Sequence, residues 1–206
     1  MISKRIFAVV IIMAFGMSMA FADEKRSYQF DVSKISTLKV DLSIGSIIVE
    51  HSDIESIDIE MTLSEEGNGW FRRSPDLSKM DLDSDIRGSE LTISFDEKGA
   101  KADLHIRLPA TSELHINLGV GTVELLLAQS DLIEVDLGVG TIEIDMLKEF
   151  AGDITLSAGV GETTAKGADN VTTSRAFVSS DLSARGVGAT PIQGNVGVGS
   201  ASISLL

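Results

Sequence analysis

The 206-residue sequence has no cysteine, three prolines, three histidines, one tryptophan and one tyrosine. Without cysteine there is no disulfide, no thiol nucleophile and no thiolate metal ligand, so stability must come from a hydrophobic core. His51, His105 and His115 are scattered and form neither a His-x-x-His nor a His-Glu pair, which predicts no zinc site and no metal cofactor. No Gly-x-Ser-x-Gly elbow occurs, so the usual hydrolase signature is missing too. Basic charge is scarce: 17 Lys and Arg stand against 31 Asp and Glu, a formal net charge of −14. Such a surface repels nucleic acid and anionic lipid headgroups. Carboxylates are plentiful, so residue inventory alone leaves a polysaccharide-acting enzyme open, but carbohydrate clefts favour aromatic platforms and this chain has almost none.

Long apolar runs are missing everywhere but at the start. Lys4 and Arg5 precede an apolar stretch from Ile6 to about Phe15, and Ala20-Phe21-Ala22 supplies the small-x-small pattern of a signal-peptidase site. Residues 1–22 are therefore expected to be a signal peptide, with the mature chain starting at Asp23. The alternative is an uncleaved anchor, for which the stretch is marginal in length. Cleavage leaves 15 basic against 31 acidic residues and an exported protein of the periplasm or cell surface with no later transmembrane segment.

What the chain does have is a repeat. Leu118-Gly119-Val120-Gly121-Thr122-Val123-Glu124, Leu137-Gly138-Val139-Gly140-Thr141-Ile142-Glu143 and Ala158-Gly159-Val160-Gly161-Glu162-Thr163-Thr164 have first glycines 19 and 21 residues apart, the period of a stacked β-solenoid turn. Before the glycines, Leu114, Ile116 and Leu118 match Ile133, Val135 and Leu137, then Ile154, Leu156 and Ala158, with polar residues between. This period-two alternation marks strands with one buried face, and it resumes after the glycines. Each copy reads as strand, tight corner, strand, with glycines supplying backbone angles closed to other residues and the intervening valine expected to plug the corner. A phosphate loop would need a helix after the glycines, and calcium-binding nonapeptides would need an aspartate in each turn; neither is present. Gly186-Val187-Gly188 and Gly197-Val198-Gly199 look like degenerate corners, with spacings of 27 and 11 residues. They suggest a stack that loosens toward Leu206, with a loop inserted near Asn170 to Ala184.

Upstream, Tyr28 to Leu108 has a different texture. Leu38 to Leu42, Ile47 to Glu50, Ile54 to Leu63, Met80 to Ile86, Leu91 to Phe95 and Ala102 to Leu108 read as strands, chiefly antiparallel. Leu42-Ser43-Ile44-Gly45-Ser46 resembles a worn corner, so this region is expected to be an irregular β start, 23–108, before the repeats of 109–206. One segment stands out, Glu65 to Pro75, which holds the sole tryptophan. Trp70, Phe71, Arg72 and Arg73 combine the residue types enriched at binding hot spots and are the candidate partner-binding loop; the alternative is a lid folded over the open end of the stack. Asp81, Asp83 and Asp85 imitate the first ligands of a calcium loop, but Ile86 and Thr92 occupy the glycine and glutamate positions, and alternation makes them the wet face of a strand. Glu124 and Glu143, one repeat apart, are expected to be neighbours about 5 Å apart.

The signal segment, the irregular β start and the Leu-Gly-Val-Gly-Thr-Ile-Glu rungs together resemble the bacterial family of exported β-solenoid repeat proteins called "putative adhesins", over about Leu38 to Leu206. That resemblance implies an all-β, parallel β-helix-like fold and a cell-envelope location. The function expected is non-catalytic adhesion or envelope interaction through the polar faces of the stack, with a protein or glycan of the envelope or surface as partner. A periplasmic structural or signalling scaffold is the alternative, and the exposed ends of a stack also invite a homodimer.

Overall fold

The structure is a computed structural model and describes residues 23–66, 75–109 and 111–206; the expected signal peptide lies outside them. Those residues form twelve strands: β1 Glu24–Asp31, β2 Thr37–His51, β3 Ser56–Glu65, β4 Asp83–Arg87, β5 Glu90–Phe95, β6 Ala100–Leu108, β7 Thr111–Leu127, β8 Ser130–Met146, β9 Ala151–Lys166, β10 Asp169–Ala176, β11 Ser179–Arg185 and β12 Thr190–Leu205. No helix among them is long and apolar enough to cross a membrane.

Five long strands make the frame. β2, β7, β8, β12 and β9 pair in parallel in that spatial order. Only Ala128 and Gln129 separate the end of β7 from the start of β8, yet Thr111 lies beside Ser130 and Leu127 beside Met146. A straight strand of 17 residues would span about 55 Å, and two linking residues reach only about 10 Å. Each long strand must therefore fold back at its middle, where the glycines are.

The corner glycines carry the fold-back. Gly45, Gly121, Gly140, Gly199 and Gly161 stack on one another with φ between +143° and +150°, a region essentially reserved for glycine. Before the corner, Leu118 points inward; after it, Val123 does. These positions are five apart, so strict alternation must slip once, and it slips at the corner. The valine between the glycines consequently faces out: Val120, Val139, Val160 and Val198 are 46–47% exposed. They do not plug the core.

Folding back splits the pairing into two halves. The first half of β2 pairs with β5 and the second half with β6, both parallel. Beyond them lie antiparallel neighbours, β4 next to β5 and then β3 and β1 next to β6. At the far end, β11 and β10 add antiparallel strands to the first half of β9. Leucine, isoleucine and valine from both halves fill one core between them, with Leu38, Ile116, Ile133, Leu125 and Ile142 almost completely inaccessible. The expectation of an all-β fold stands. The expected parallel solenoid over 109–206 does not stand whole, because the antiparallel β10 and β11 flank the parallel frame there as β1, β3 and β4 do on the other side, and the sheet is mixed.

The C-terminal region departs most from the sequence reading. β12 lies between β8 and β9, so the last strand in the chain is in the interior of the stack, and the stack does not loosen toward Leu206. Gly197-Val198-Gly199 is a full corner in register with Gly138-Val139-Gly140 on one side and Gly159-Val160-Gly161 on the other. Gly186-Val187-Gly188 is no corner; it is the link from β11 to β12, tied by Gly186 N–H to Gly152 O and Gly188 N–H to Ala151 O. The expected loop near Asn170 to Ala184 is the β10–β11 hairpin.

Candidate functional site

Along the wet face of the first half-strands, register places Asp41, Asn117, Asp136, Asn195 and Ser157 in a single row that crosses the five long strands. Neighbours in such a row are about 4.8 Å apart, and adjacent carboxylates there would repel. The sequence avoids this by interposing amides. Asn117 Nδ2 donates to Asp41 Oδ1 at 2.8 Å, Asn195 Nδ2 donates to Asp136 Oδ1 at 2.9 Å, and Ser157 Oγ donates to Asn195 Oδ1 at 2.8 Å. These bonds lock the row in register and use one oxygen of each aspartate. The second oxygen of Asp41 and of Asp136 takes no part in them.

Asp41, Asn117, Asp136 and Asn195 of this row form one wall of an open groove of about 770 Å³. Its floor is the line Ser43, Gly119, Gly138, Gly197 and Gly159, which has almost no side chains, so the backbone itself is accessible from the groove. A Cβ at Gly138 would lie 2.5 Å from Gly119 O, and one at Gly119 the same distance from Ser43 O, so close stacking of the strands requires this bare floor. At the β5 end, Ser43 Oγ donates to Asp96 Oδ1 at 2.6 Å. The groove is shallow, and its only formal charges are the carboxylates of Asp41, Asp96 and Asp136, set in a mostly apolar lining.

A second polar row, two residues upstream, is paired within itself. His115 Nδ1 is 2.8 Å from Glu134 Oε2 and its Nε2 3.5 Å from Glu113 Oε2, while Lys39 Nζ is 2.7 Å from Glu90 Oε2. The Lys39 hydrogen bond holds the Glu90 carboxyl below its ordinary pKa. The other histidines are likewise matched with acids, His105 with Glu50 at 2.9 Å and His51 with Asp53 at 3.5 Å.

Trp70, Phe71, Arg72 and Arg73 lie outside the described residues. Asp81 is engaged by Arg26 at 3.3 Å and accepts from the Tyr28 hydroxyl, and Asp85 pairs with Arg87 at 2.7 Å. Burial and the hydrogen bond to Asp81 together hold the Tyr28 hydroxyl far above its ordinary pKa. β4 lies on the surface as expected for the aspartates, but Ile86 is exposed as well, so the strand has no inward face of its own. Glu124 and Glu143 are neighbours in register, as the repeat predicts. Sequence reasoning missed the groove row. Its signal was present as Asp41, Asn117 and Asp136 at the same position before each glycine corner.

A family model described as the N-terminal domain of toast_rack, DUF2154, matches residues 20–166. No curated protein matches the sequence. Among solved structures, a "putative cell adhesion protein" from Clostridium sporogenes is similar over 90% of this chain and 100% of its own, at 15% identity and a TM-score of 0.52. A "putative adhesin" from Bacteroides fragilis covers 89% of this chain and 98% of its own at 12% identity and a TM-score of 0.29. Another, from Parabacteroides merdae, covers 89% and 96% at 14% identity and a TM-score of 0.30. At these identities the first likeness speaks to the fold alone, and the other two support no argument.

Proposed function

This chain belongs to the family of the N-terminal domain of toast_rack, and from that premise we propose that it is a non-catalytic, exported protein of adhesion or cell-envelope interaction. In this reading the folded long strands are the turns of a β-solenoid, and the groove across them binds an extended partner of the envelope or cell surface. The observation that carries it is the hydrogen-bonded row Asp41, Asn117, Asp136, Asn195 and Ser157. It repeats one chemistry at a constant pitch, so a polymer lying along it gains many weak contacts in series. Because the charged groups the groove offers are all carboxylate acceptors set in a mostly apolar lining, the partner it suits combines donors with apolar faces, as the hydroxyls and ring faces of a glycan do. The Clostridium sporogenes structure, a "putative cell adhesion protein", agrees with this use.

Retention of the purified protein on insoluble cell-wall glycan tests the reading. Asp41→Ala combined with Asp136→Ala removes two exposed acceptors without touching the core and is expected to weaken retention about tenfold, with the circular dichroism spectrum unchanged. Equal retention of this variant and the parent would refute the groove. In the same assay Trp70→Ser with Phe71→Ser reports on the candidate loop: lost retention with an intact fold assigns it to the partner, and lost folding assigns it to the lid.

Location separates adhesion from a scaffold inside the envelope. On intact cells the adhesive reading expects cleavage by added protease and access to antibody. Protection until the outer envelope is permeabilised would support the periplasmic scaffold instead.

A further inference from the structure

Outside the core, along the corner of the stack, Ile44, Val120, Val139, Val198 and Val160 form one line, each one strand spacing from the next. The four valines are half-exposed to the same degree. The line runs on to the tip of the β10–β11 hairpin, where Gly161 N–H donates to Val178 O at 2.8 Å. There Val178 is exposed, and Phe177 is fully exposed with φ +53°, a left-handed conformation unfavourable for an aromatic residue. From two residues before the line to two residues after it, Glu162 is the only formal charge on these strands. Beyond that strip the surface turns acidic, with Asp41 and Asp136 on one side and Glu124 and Glu143 on the other.

We propose that this apolar ridge is the contact surface for a second copy of the same chain. Two observations select that occupant. A second copy presents its own ridge at the same pitch, about 4.8 Å, so the side chains of one ridge seat between those of the other at every strand. An extended peptide repeats its same-face side chains every 6.6 Å or so and falls out of step within two or three positions. The second observation is charge. In a chain with so large an acidic excess, the ridge is the long strip where two copies meet without opposing carboxylates. With the ridges antiparallel, Phe177 of each copy reaches the Ile44 end of the other and gains cover that no contact among the described residues of its own chain supplies. This association runs along the side of the stack and leaves its ends free.

Sedimentation velocity over a concentration series of the purified protein tests the proposal, with a reversible monomer–dimer equilibrium as the expected result. Val139→Glu combined with Val198→Glu places charge at the ridge centre and is expected to abolish the dimer while the thermal melt of the monomer is retained. Phe177→Gly removes the ring and relieves the left-handed backbone. It is expected to weaken dimerisation about tenfold while leaving the monomer at least as stable, a combination that a merely structural phenylalanine would not give. A parent protein that stays monomeric throughout the series would overturn the proposal. So would a Val139→Glu, Val198→Glu protein that dimerises like the parent.

Discussion

Replacing Gly140 with alanine is expected to lower the melting temperature by about 10 °C or to leave the protein insoluble. A Cβ built at Gly140 lies 1.7 Å from Gly121 O, about half a normal contact distance, and the obstacle is backbone in the next strand, which cannot rotate away. The φ of +143° adds its own penalty, because an L-residue does not adopt it without strain. Together these cost about 3–5 kcal/mol, a large share of the 5–15 kcal/mol that holds a typical domain folded. Gly88→Ala is the control. Gly88 also has positive φ, +65°, but a Cβ there meets nothing within 4 Å, so the expected loss is about 1 kcal/mol. Calorimetry of the two variants separates conformational strain from collision. Similar melting temperatures for both would show that neighbouring strands can shift to admit a methyl group, and that the glycine ladder is less tightly stacked than the structure has it.

The same ladder explains how far the sequence could be read. Gly121, Gly140 and Gly161 were visible as corners because steric exclusion at these positions tolerates almost no other residue, and the worn corner at Gly45 falls in register with them for the same reason. Alternation located the inward-facing residues on both sides of the corner. The outward valines were open to the same reasoning, since Leu118 and Val123 are both apolar and an odd number of residues apart. Spatial order was harder. A strand carrying the common repeat satisfies the register of any other repeat strand, so nothing local says which two it lies between. One indication was available: after its corner β9 offers only Thr163 and Ala165 to the core, as suits a strand near the end of a stack, whereas β12 offers Ala201, Ile203 and Leu205. The groove row was hidden by a different cause, because its aspartates and asparagines become one surface only when residues up to 154 positions apart in the chain, Asp41 and Asn195, are brought into a single line.

The position of β12 leads to the other large effect. A chain ending at Gly188 retains β8 and β9 but lacks the strand that joins them, since neither pairs with the other in the intact protein. Truncation removes Ile192, Val196, Ile203 and Leu205 from the core, on the order of 10 kcal/mol of apolar burial, and exposes two long parallel edges that invite aggregation. The expected result is a protein with no cooperative unfolding transition and little soluble yield, even though fewer than a tenth of its residues are gone. A synthetic peptide covering 190–205, supplied during refolding, should restore part of the transition by filling the vacant place. The opposing outcome has a definite structural meaning. β8 and β9 both match β12 position for position, Ile133 and Ile154 to Ile192, Val139 and Val160 to Val198, Gly140 and Gly161 to Gly199, so they are also in register with each other. If the truncated chain folds cooperatively and ignores the peptide, β9 has closed directly onto β8, and β12 is a strand the stack accepts but does not require.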